Sequence, residues 1–158
     1  LARTDSLTGI PNRLMLDKAL LESHRKAKKN QDTYGVLLLD IDYFKRVNDN
    51  YGHQIGDEVL REFSTLLSGR VRDSDIVGRW GGEEFLVICK GADTDMLLDL
   101  AERLRTSIEN HIFPECTSLT TSVGIASYEN GDDIRNLLSR ADRALYSAKS
   151  EGRNKIGS

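Results

Sequence analysis

The chain has 158 residues, of which 25 are acidic and 22 basic, and its net charge at pH 7 is −3. This length suffices for one domain with a substantial core, and residues 1–158 are treated as a single domain. Charges of both signs are well mixed, which argues against a broad basic face for nucleic acid or for a membrane surface. The longest apolar runs have about five residues, whereas a membrane helix needs roughly 20.

The cysteines indicate the cellular compartment, and the first residue indicates whether the chain is part of a longer protein. Cys89 and Cys116 show the spacing of neither a metal site nor a disulfide framework, which favours a reduced, cytoplasmic compartment. No signal peptide is visible. Because the first residue is not methionine, we expect the chain to be a piece of a longer protein, which could carry a membrane anchor elsewhere.

The first predicted elements are a helix and a buried strand. After a polar segment over residues 1–8, Pro11 suits the first turn of a helix that runs to about Asn30. The stretch from Tyr34 to Ile41 is almost continuously apolar, which predicts a strand buried on both faces. Asp40 and Asp42 lie at its end and share a face, although an Asp-x-Asp pattern alone forms a turn more often than a metal site.

A polar segment, a helix and a hairpin come next. The segment is equally consistent with a ligand-binding loop and with a solvated loop. Helical spacing then predicts a helix from Ile55 to about Arg72. Ile76–Val77 and Phe85–Cys89 are short apolar runs joined through Gly81-Gly82, which favours a β-hairpin. The polar segment contains Lys45, Asn48, Asp49, Gly52, His53, Gly56 and Asp57.

The remaining elements alternate between helix and strand. A third helix spans about Thr94 to Asn110, a strand follows from Ser118 to Tyr128, and a fourth helix opens at Asp132 and ends at Gly152. Asn154–Ile156 is a last short strand. This order predicts an α+β fold with a mixed, mostly antiparallel central sheet flanked by helices.

Two carboxylates at strand ends suggest a metal site. Glu83 and Glu84 in the hairpin turn should face opposite ways, because side chains alternate along a strand. Alone, such a turn is more often solvated, but Asp40 ends a strand that could lie beside it. Carboxylates from neighbouring strands suit Mg²⁺, which takes one or two of them and completes its octahedron with water and phosphate.

Other polar residues fit a nucleotide. Lys45 and Lys155 are available cations for phosphate, and Asn48 and Asp57 could read the edge of a base, since a carboxylate accepts from the N–H groups of guanine. These residue types suit a nucleoside triphosphate with Mg²⁺ and predict phosphoryl transfer. The sequence has no Walker A pattern, which excludes a P-loop enzyme.

At these residues the sequence closely resembles the GGDEF-domain diguanylate cyclases, over essentially the whole chain. Several separate motifs occur in the family's order, which makes the resemblance specific. The matching segments are Asp5–Gly9 with Pro11–Arg13, Asp40–Asp49, Gly52–Asp57, the signature Gly81–Phe85 and Gly152–Lys155.

The resemblance implies a fold like the palm of polymerases and class III nucleotidyl cyclases. It also implies that a homodimer condenses two GTP molecules, one on each protomer, into cyclic di-GMP and two pyrophosphates. Mg²⁺ is the implied cofactor, with Mn²⁺ as a substitute. The implied metal ligands are Asp40, the carbonyl of Ile41 and Glu83. The resemblance implies that Lys45 and Lys155 contact the triphosphate, that Asn48 and Asp57 recognise guanine, and that Gly82 packs against the phosphates and ribose. Glu84 is required in the family, and general base is one candidate role for it.

A second site is implied around Arg72-Asp73-Ser74-Asp75. Considered alone, Arg72 and Asp75 are better explained as an ion pair at a helix end. In the family, an Arg-x-x-Asp at this distance from the signature binds the inhibitory product with an arginine of the next helix, here Arg103. The forked guanidinium groups suit phosphates.

Two departures and two competing functions accompany the resemblance. The family usually has an arginine four residues beyond the position of Lys155, whereas the given sequence ends at Ser158. Segments that drive dimerisation usually precede the position of Asp5 in the family, and the given sequence has only four residues before it. The alternatives to an active cyclase are an inactive domain that senses cyclic di-GMP or GTP, and a GTP-binding domain that regulates a fused phosphodiesterase. The intact carboxylates Asp40, Glu83 and Glu84 favour the enzyme.

Overall fold

The computed structural model describes residues 2–158, apart from the side chain of Cys116, so the expectations for Leu1 and for that thiol lie outside the described residues. The predicted α+β class is confirmed. The helices are α1 (Arg13–Asn30), α2 (Phe44–Tyr51), α3 (His53–Ser68), α4 (Thr94–Asn110) and α5 (Ile134–Ser150). The strands are β1 (Tyr34–Ile41), β2 (Ile76–Gly81), β3 (Glu84–Lys90), β4 (Ile112–Phe113), β5 (Thr117–Ser118), β6 (Thr121–Ser127) and β7 (Ile156–Gly157).

The central sheet is mixed and mostly antiparallel, as predicted. Its strand order is β2-β3-β1-β6-β7, and only the β6–β7 pair among these is parallel. A separate two-stranded ribbon of β4 and β5, with a short 3₁₀ turn at Pro114–Cys116, was not predicted. None of the described helices is long and apolar enough to cross a membrane.

Helices cover both faces of this sheet, which explains why β1 is buried along its whole length. On one face, Leu37 and Leu39 pack with the apolar residues of α3 and α4. On the other face, Val36 and Leu38 pack with those of α1 and α5. A strand between two helical layers needs apolar residues on both faces, so its sequence shows a continuous run rather than alternation.

Helix α5 lies unusually close to the sheet at Gly124 in β6. A Cβ at this position would lie 2.2 Å from the Ala141 carbonyl oxygen and 2.4 Å from the Leu145 nitrogen, so no larger residue fits without moving the helix. Burial of Leu137, Ala141 and Leu145 holds the helix there. The last turn of α5 is thereby placed over the end of β1, where Asp40 lies.

The loop predicted after β1 is instead the short helix α2. Tyr43 enters it with a left-handed φ of 57°, and Phe44 and Val47 are the buried residues that anchor it. Gly52, with φ of 89°, separates α2 from α3. The predicted second helix therefore begins at His53, slightly earlier than expected, and its predicted end near Arg72 is wrong because α3 ends at Ser68.

Candidate active site

The carboxylates of the motif hairpin and of β1 meet at one end of the sheet. Asp40 lies directly opposite Glu84 of β3 and Ser122 of β6. Residues directly opposite each other share a face of the sheet, so the Asp40 and Glu84 side chains lie on the face that α1 and α5 cover. The Ile41 N–H donates to the Glu83 carbonyl at 3.3 Å, which places the hairpin turn beside β1 as the sequence suggested.

Lys149, in the last turn of α5, forms an ion pair with Asp40. Burial raises the pKa of Asp40; the Lys149 ammonium opposes this, while the charges of Glu83 and Asp42 raise the pKa further. Burial also raises the pKa of Glu84, and the charge of Asp40 adds to the effect. The site thus gathers more negative charge than one lysine offsets.

This arrangement fits a hard divalent cation. Among residues 2–158, no group of three or more His, Cys, Asp or Glu side chains is placed to hold a metal ion. Mg²⁺ does not require such a cage, because it keeps several waters and takes phosphate oxygens. Asp40 and Glu83 on adjacent chain segments, with the Ile41 carbonyl beside them, supply oxygen ligands only, and the surplus negative charge favours a cation.

Asp42 does not join this set, because other partners engage its oxygens. Its side chain is buried and accepts hydrogen bonds from Ser122 Oγ at 2.6 Å, Thr120 Oγ1 at 2.7 Å and the Asn154 N–H at 3.0 Å. The last of these ties the loop after α5 to the end of β1. Asp42, whose role the sequence left open, therefore positions that loop.

Among the described residues, neither predicted phosphate cation forms a hydrogen bond or an ion pair with Asp40, Glu83 or Glu84. Lys45 is exposed and forms an ion pair with Asp49 at 2.9 Å, and Lys155 Nζ donates to the Glu151 carbonyl at 2.6 Å. Sequence reasoning missed Lys149 and Arg153. The Arg153 guanidinium lies 4.7 Å from the ring centre of Tyr43, just beyond Asp42 in the chain.

The two residues predicted to read a base lie on adjoining helices. The backbone carbonyl of Asn48 in α2 accepts from the Gly52 N–H at 2.9 Å, at the junction with α3. A Cβ on Gly56 would lie 1.9 Å from Asn48 Oδ1, so the amide packs against the first turns of α3. Asp57 is the next residue in that helix and is half-buried. The structure thus brings Asn48 close to the turn that carries Asp57.

An arginine clamps the motif turn to the N-terminal segment. Arg79 Nε donates to the Gly82 carbonyl at 2.9 Å, and Arg79 Nη1 lies 3.2 Å from Asp5 Oδ2. Burial acts to raise the pKa of Asp5, but hydrogen bonds from Thr8 and Arg79 outweigh it and hold the pKa below its ordinary value. Sequence reasoning missed this contact, which joins residues 74 positions apart.

The residues of the implied product site share a small cleft. The Arg72 guanidinium donates twice to Asp75, Nη2–Oδ1 at 2.9 Å and Nε–Oδ2 at 3.3 Å, and also donates to the Lys90 carbonyl at 3.1 Å. The expected ion pair is confirmed, but it does not cap a helix because α3 ends before it. Arg103 of α4 lines the same cleft of about 180 Å³, at the end of β3 opposite to Glu84.

A mixed, mostly antiparallel sheet with carboxylates at the ends of two adjacent strands is a palm-like fold with a candidate metal site. The profile of the family described as "Diguanylate cyclase, GGDEF domain" matches residues 2–155. The chain therefore belongs to the GGDEF family of diguanylate cyclase domains.

Named relatives agree with this assignment. The chain is 42% identical to the response regulator PleD of Caulobacter vibrioides over 99% of its length, and 41% identical to the diguanylate cyclase DgcP of Pseudomonas aeruginosa over 98%. It spans 36% and 24% of these proteins. It also matches the crystal structure of the GGDEF domain of DgcB from Caulobacter crescentus in complex with c-di-GMP, with a TM-score of 0.95 and 31% identity, covering 99% of this chain and 95% of that one.

Proposed function

We propose that this domain is an active diguanylate cyclase that condenses two GTP molecules into cyclic di-GMP and two pyrophosphates. The observation that carries the proposal is the pairing of Asp40 with Glu84 across β1 and β3, with Glu83 in the adjoining turn. A domain that only sensed a nucleotide would not need this concentration of carboxylates, which is unfavourable without a cation.

The reaction requires two protomers. In each step, the 3′-oxygen of one GTP bonds to the α-phosphorus of the other. The bond between that phosphorus and the oxygen bridging it to the β-phosphate breaks, and pyrophosphate leaves. One protomer holds one substrate, so the second GTP comes from a partner in a homodimer. Two such steps close the ring and release two pyrophosphates.

Asp40, the Ile41 carbonyl and Glu83 would hold Mg²⁺. Bound there, the metal supplies positive charge to the attacking and leaving oxygens. Glu84 lies on the Asp40 face of the sheet and is the candidate to accept the proton of the 3′-hydroxyl. Gly82, whose φ is 50°, gives the turn a backbone shape that a side chain would strain, and it leaves room for phosphate and ribose.

We assign the triphosphate contacts to Lys149 and Arg153 in addition to Lys45 and Lys155. The resemblance implies a lysine followed four residues later by an arginine, and Lys149 and Arg153 have this spacing. Lys149 contacts Asp40, and Arg153 lies against Tyr43 in the loop whose Asn154 N–H binds Asp42. On this assignment Lys149 and Arg153 are the family's lysine–arginine pair, and the expectation of an arginine four residues beyond Lys155 no longer applies.

Guanine would be selected by Asn48 and Asp57. The Asp57 carboxylate accepts from the N–H groups on the guanine edge, and adenine would leave it unpaired. A site built around such an acceptor can discriminate by up to about 10⁴-fold. The close packing of Asn48 on Gly56 supports a fixed rather than an adaptable pocket.

A second function, feedback by the product, is supported by the cleft at Arg72. Arg72 and the exposed Arg103 line one cleft, and Asp75 orients the Arg72 guanidinium through two contacts. Oriented guanidinium groups bind phosphate oxygens bidentately, and cyclic di-GMP has two phosphates. The cleft lies at the end of β3 away from Glu84, so product bound there would not occupy the proposed active site.

The test is incubation with GTP and Mg²⁺ over a range of protein concentrations, with chromatographic separation of nucleotides. Cyclic di-GMP should form at a rate that rises faster than linearly with protein. Glu83→Gln should abolish Mg²⁺-dependent turnover, whereas Glu58→Gln, at an exposed position of α3, should not. No product even after fusion of a coiled coil before Asp5, with cyclic di-GMP still binding tightly, would identify a receptor instead.

A further inference from the structure

The ion pair between Lys149 and Asp40 occupies a position that the proposed metal needs. Asp40 is the β1 carboxylate of the metal site, and its side chain is only 9% exposed. Lys149 Nζ contacts Asp40 Oδ2, and the lysine side chain is 31% exposed. A cation and an ammonium cannot both lie against the same carboxylate oxygen, because their charges repel at that distance.

The surroundings hold Lys149 where it is. It follows Ala148, which is fully buried, in the last turn of α5. That helix is fixed against β6 by the close contact at Gly124. The backbone of Lys149 therefore cannot withdraw far, and what can change is the direction of its flexible side chain.

We propose that Lys149 is an internal counter-ion that occupies Asp40 in the metal-free domain and leaves it when Mg²⁺ binds. The contact lowers the affinity of the empty site for a metal. Once displaced, the ammonium is free to contact phosphate, so metal and triphosphate favour each other's binding. The inference rests on the proposed metal site at Asp40 and adds to it a competitor within the chain.

The proposal predicts that removal of Lys149 strengthens metal binding rather than leaving it unchanged. Loss of a lysine that only bound substrate would leave metal binding in the absence of nucleotide unchanged. Loss of a competitor for Asp40 makes metal binding tighter. We expect Lys149→Met to tighten Mn²⁺ binding about tenfold without nucleotide, the size expected when one competing charge is removed from beside a buried carboxylate.

The experiment is a titration of this chain with Mn²⁺, in which the free ion is measured by electron paramagnetic resonance. Lys155→Met is the matched control, because it makes the same change of charge at a lysine that contacts the Glu151 carbonyl instead. Lys149→Arg keeps the charge and should bind Mn²⁺ as weakly as the wild type. If Lys149→Met does not fold, judged by circular dichroism, Lys149→Gln replaces it.

A double-mutant cycle locates the effect. In an Asp40→Asn background, Lys149→Met should no longer change Mn²⁺ affinity, because the shared partner is gone. Equal affinities of the wild type and Lys149→Met, or an equal gain in Lys155→Met, would overturn the proposal. Cyclase activity does not enter these titrations, so a failure of the proposed reaction would leave their outcome readable.

Discussion

Arg79 joins Asp5 to the signature turn, with Nη1 3.2 Å from Asp5 Oδ2 and Nε donating to the Gly82 carbonyl at 2.9 Å. Both side chains of the ion pair are only about 20% exposed. The Asp5 carboxylate also accepts from the N–H and hydroxyl of Thr8, which shapes the N-terminal segment around it. The position of that segment is therefore coupled to the backbone that precedes Glu83.

Asp5→Asn should lower the free energy of unfolding by about 1–3 kcal/mol, the usual range for a hydrogen-bonded charge that loses its partner. Turnover should also fall, because Asp5 no longer holds Arg79 in the position from which it donates to the Gly82 carbonyl. Urea unfolding and initial rates measure the two effects. Asp17→Asn is the control: Asp17 makes an exposed ion pair with Arg13 at 3.6 Å, and its loss should change stability by less than about 1 kcal/mol.

The stabilisation by Asp5 should depend on pH in a defined direction. Its pKa in the folded chain is lower than the ordinary value of 3.8. The contribution is therefore present above pH 3.8 and disappears as the pH falls through the folded value. The stability difference between the wild type and Asp5→Asn should shrink below pH 4; a difference that stayed constant down to pH 2 would contradict the assignment.

Most of the fold could be predicted from the hydrophobic pattern. The elements that were missed are too short, or bury too few residues, to show such a pattern. The long apolar run of β1 and the periodic faces of α4 and α5 were sufficient for these elements. Helix α2 was missed because only Phe44 and Val47 in it are buried, which is too few to establish a period. Strands β4 and β5 have two residues each and show no pattern at all.

The candidate site was predictable only where its residues lie within motifs. Asp40, Glu83, Asn48 and Asp57 stand in such segments, and the structure places them at the ends of β1 and β3 and at the α2–α3 junction. Contacts over long sequence separations leave no local signal. Lys149 lies 109 residues from Asp40, on a helix whose apolar spacing says nothing of its polar residues.

Gly56→Ala should weaken GTP binding without unfolding the domain. The new Cβ would lie 1.9 Å from Asn48 Oδ1, and the flexible amide is the group that would move. Alanine is the better helix former, by up to about 1 kcal/mol, which offsets part of the strain. The KM for GTP should rise roughly tenfold, the cost of losing one hydrogen bond.

Gly69→Ala is the matched control for this substitution, because Gly69 follows the other end of α3. The atom nearest to a Cβ at this position would be the Thr65 carbonyl oxygen, at 3.3 Å. We expect the KM of this variant to match that of the wild type. Steady-state kinetics and thermal unfolding of both variants make the comparison. An unchanged KM in Gly56→Ala would remove Asn48 from the guanine pocket.

Arg72→Ala should relieve inhibition by cyclic di-GMP. The variant removes one of the two arginines in the cleft and leaves Asp75, whose side chain is 1% exposed, without its ion-pair partner. The inhibition constant should rise at least about tenfold, while initial rates at low product change little. Arg135→Ala, at an exposed position of α5, should leave the inhibition constant as it is.

The Arg72→Ala variant also shows whether the Arg72–Asp75 pair only stabilises the fold or forms part of a product site. If the pair only stabilises the segment before β2, Arg72→Ala will lower the melting temperature and leave the inhibition constant unchanged. If the cleft binds product, titration calorimetry with cyclic di-GMP will show weaker binding in Arg72→Ala and in Arg103→Ala. Arg103 is exposed and makes no ion pair among the described residues, so its removal should cost little stability.

Asp42→Asn should affect both stability and substrate binding, for one structural reason. The carboxylate accepts three hydrogen bonds, and one of them fixes the Asn154 N–H beside Arg153. An amide cannot accept all three, because one of its ends is a donor. We expect a loss of about 1–3 kcal/mol in the free energy of unfolding, since a buried donor is left without its partner.

The kinetic effect distinguishes a positioning role from a purely structural one. The loop that Asp42 holds carries Arg153, so the KM for GTP should rise several-fold while kcat falls less. Asp32→Asn, at an exposed position between α1 and β1, is the control and should change neither constant. A destabilised Asp42→Asn domain with the wild-type KM, assayed well below its melting temperature, would show that the loop does not position a substrate contact. An increase in KM would instead tie the buried end of β1 to the triphosphate through Asn154 and Arg153.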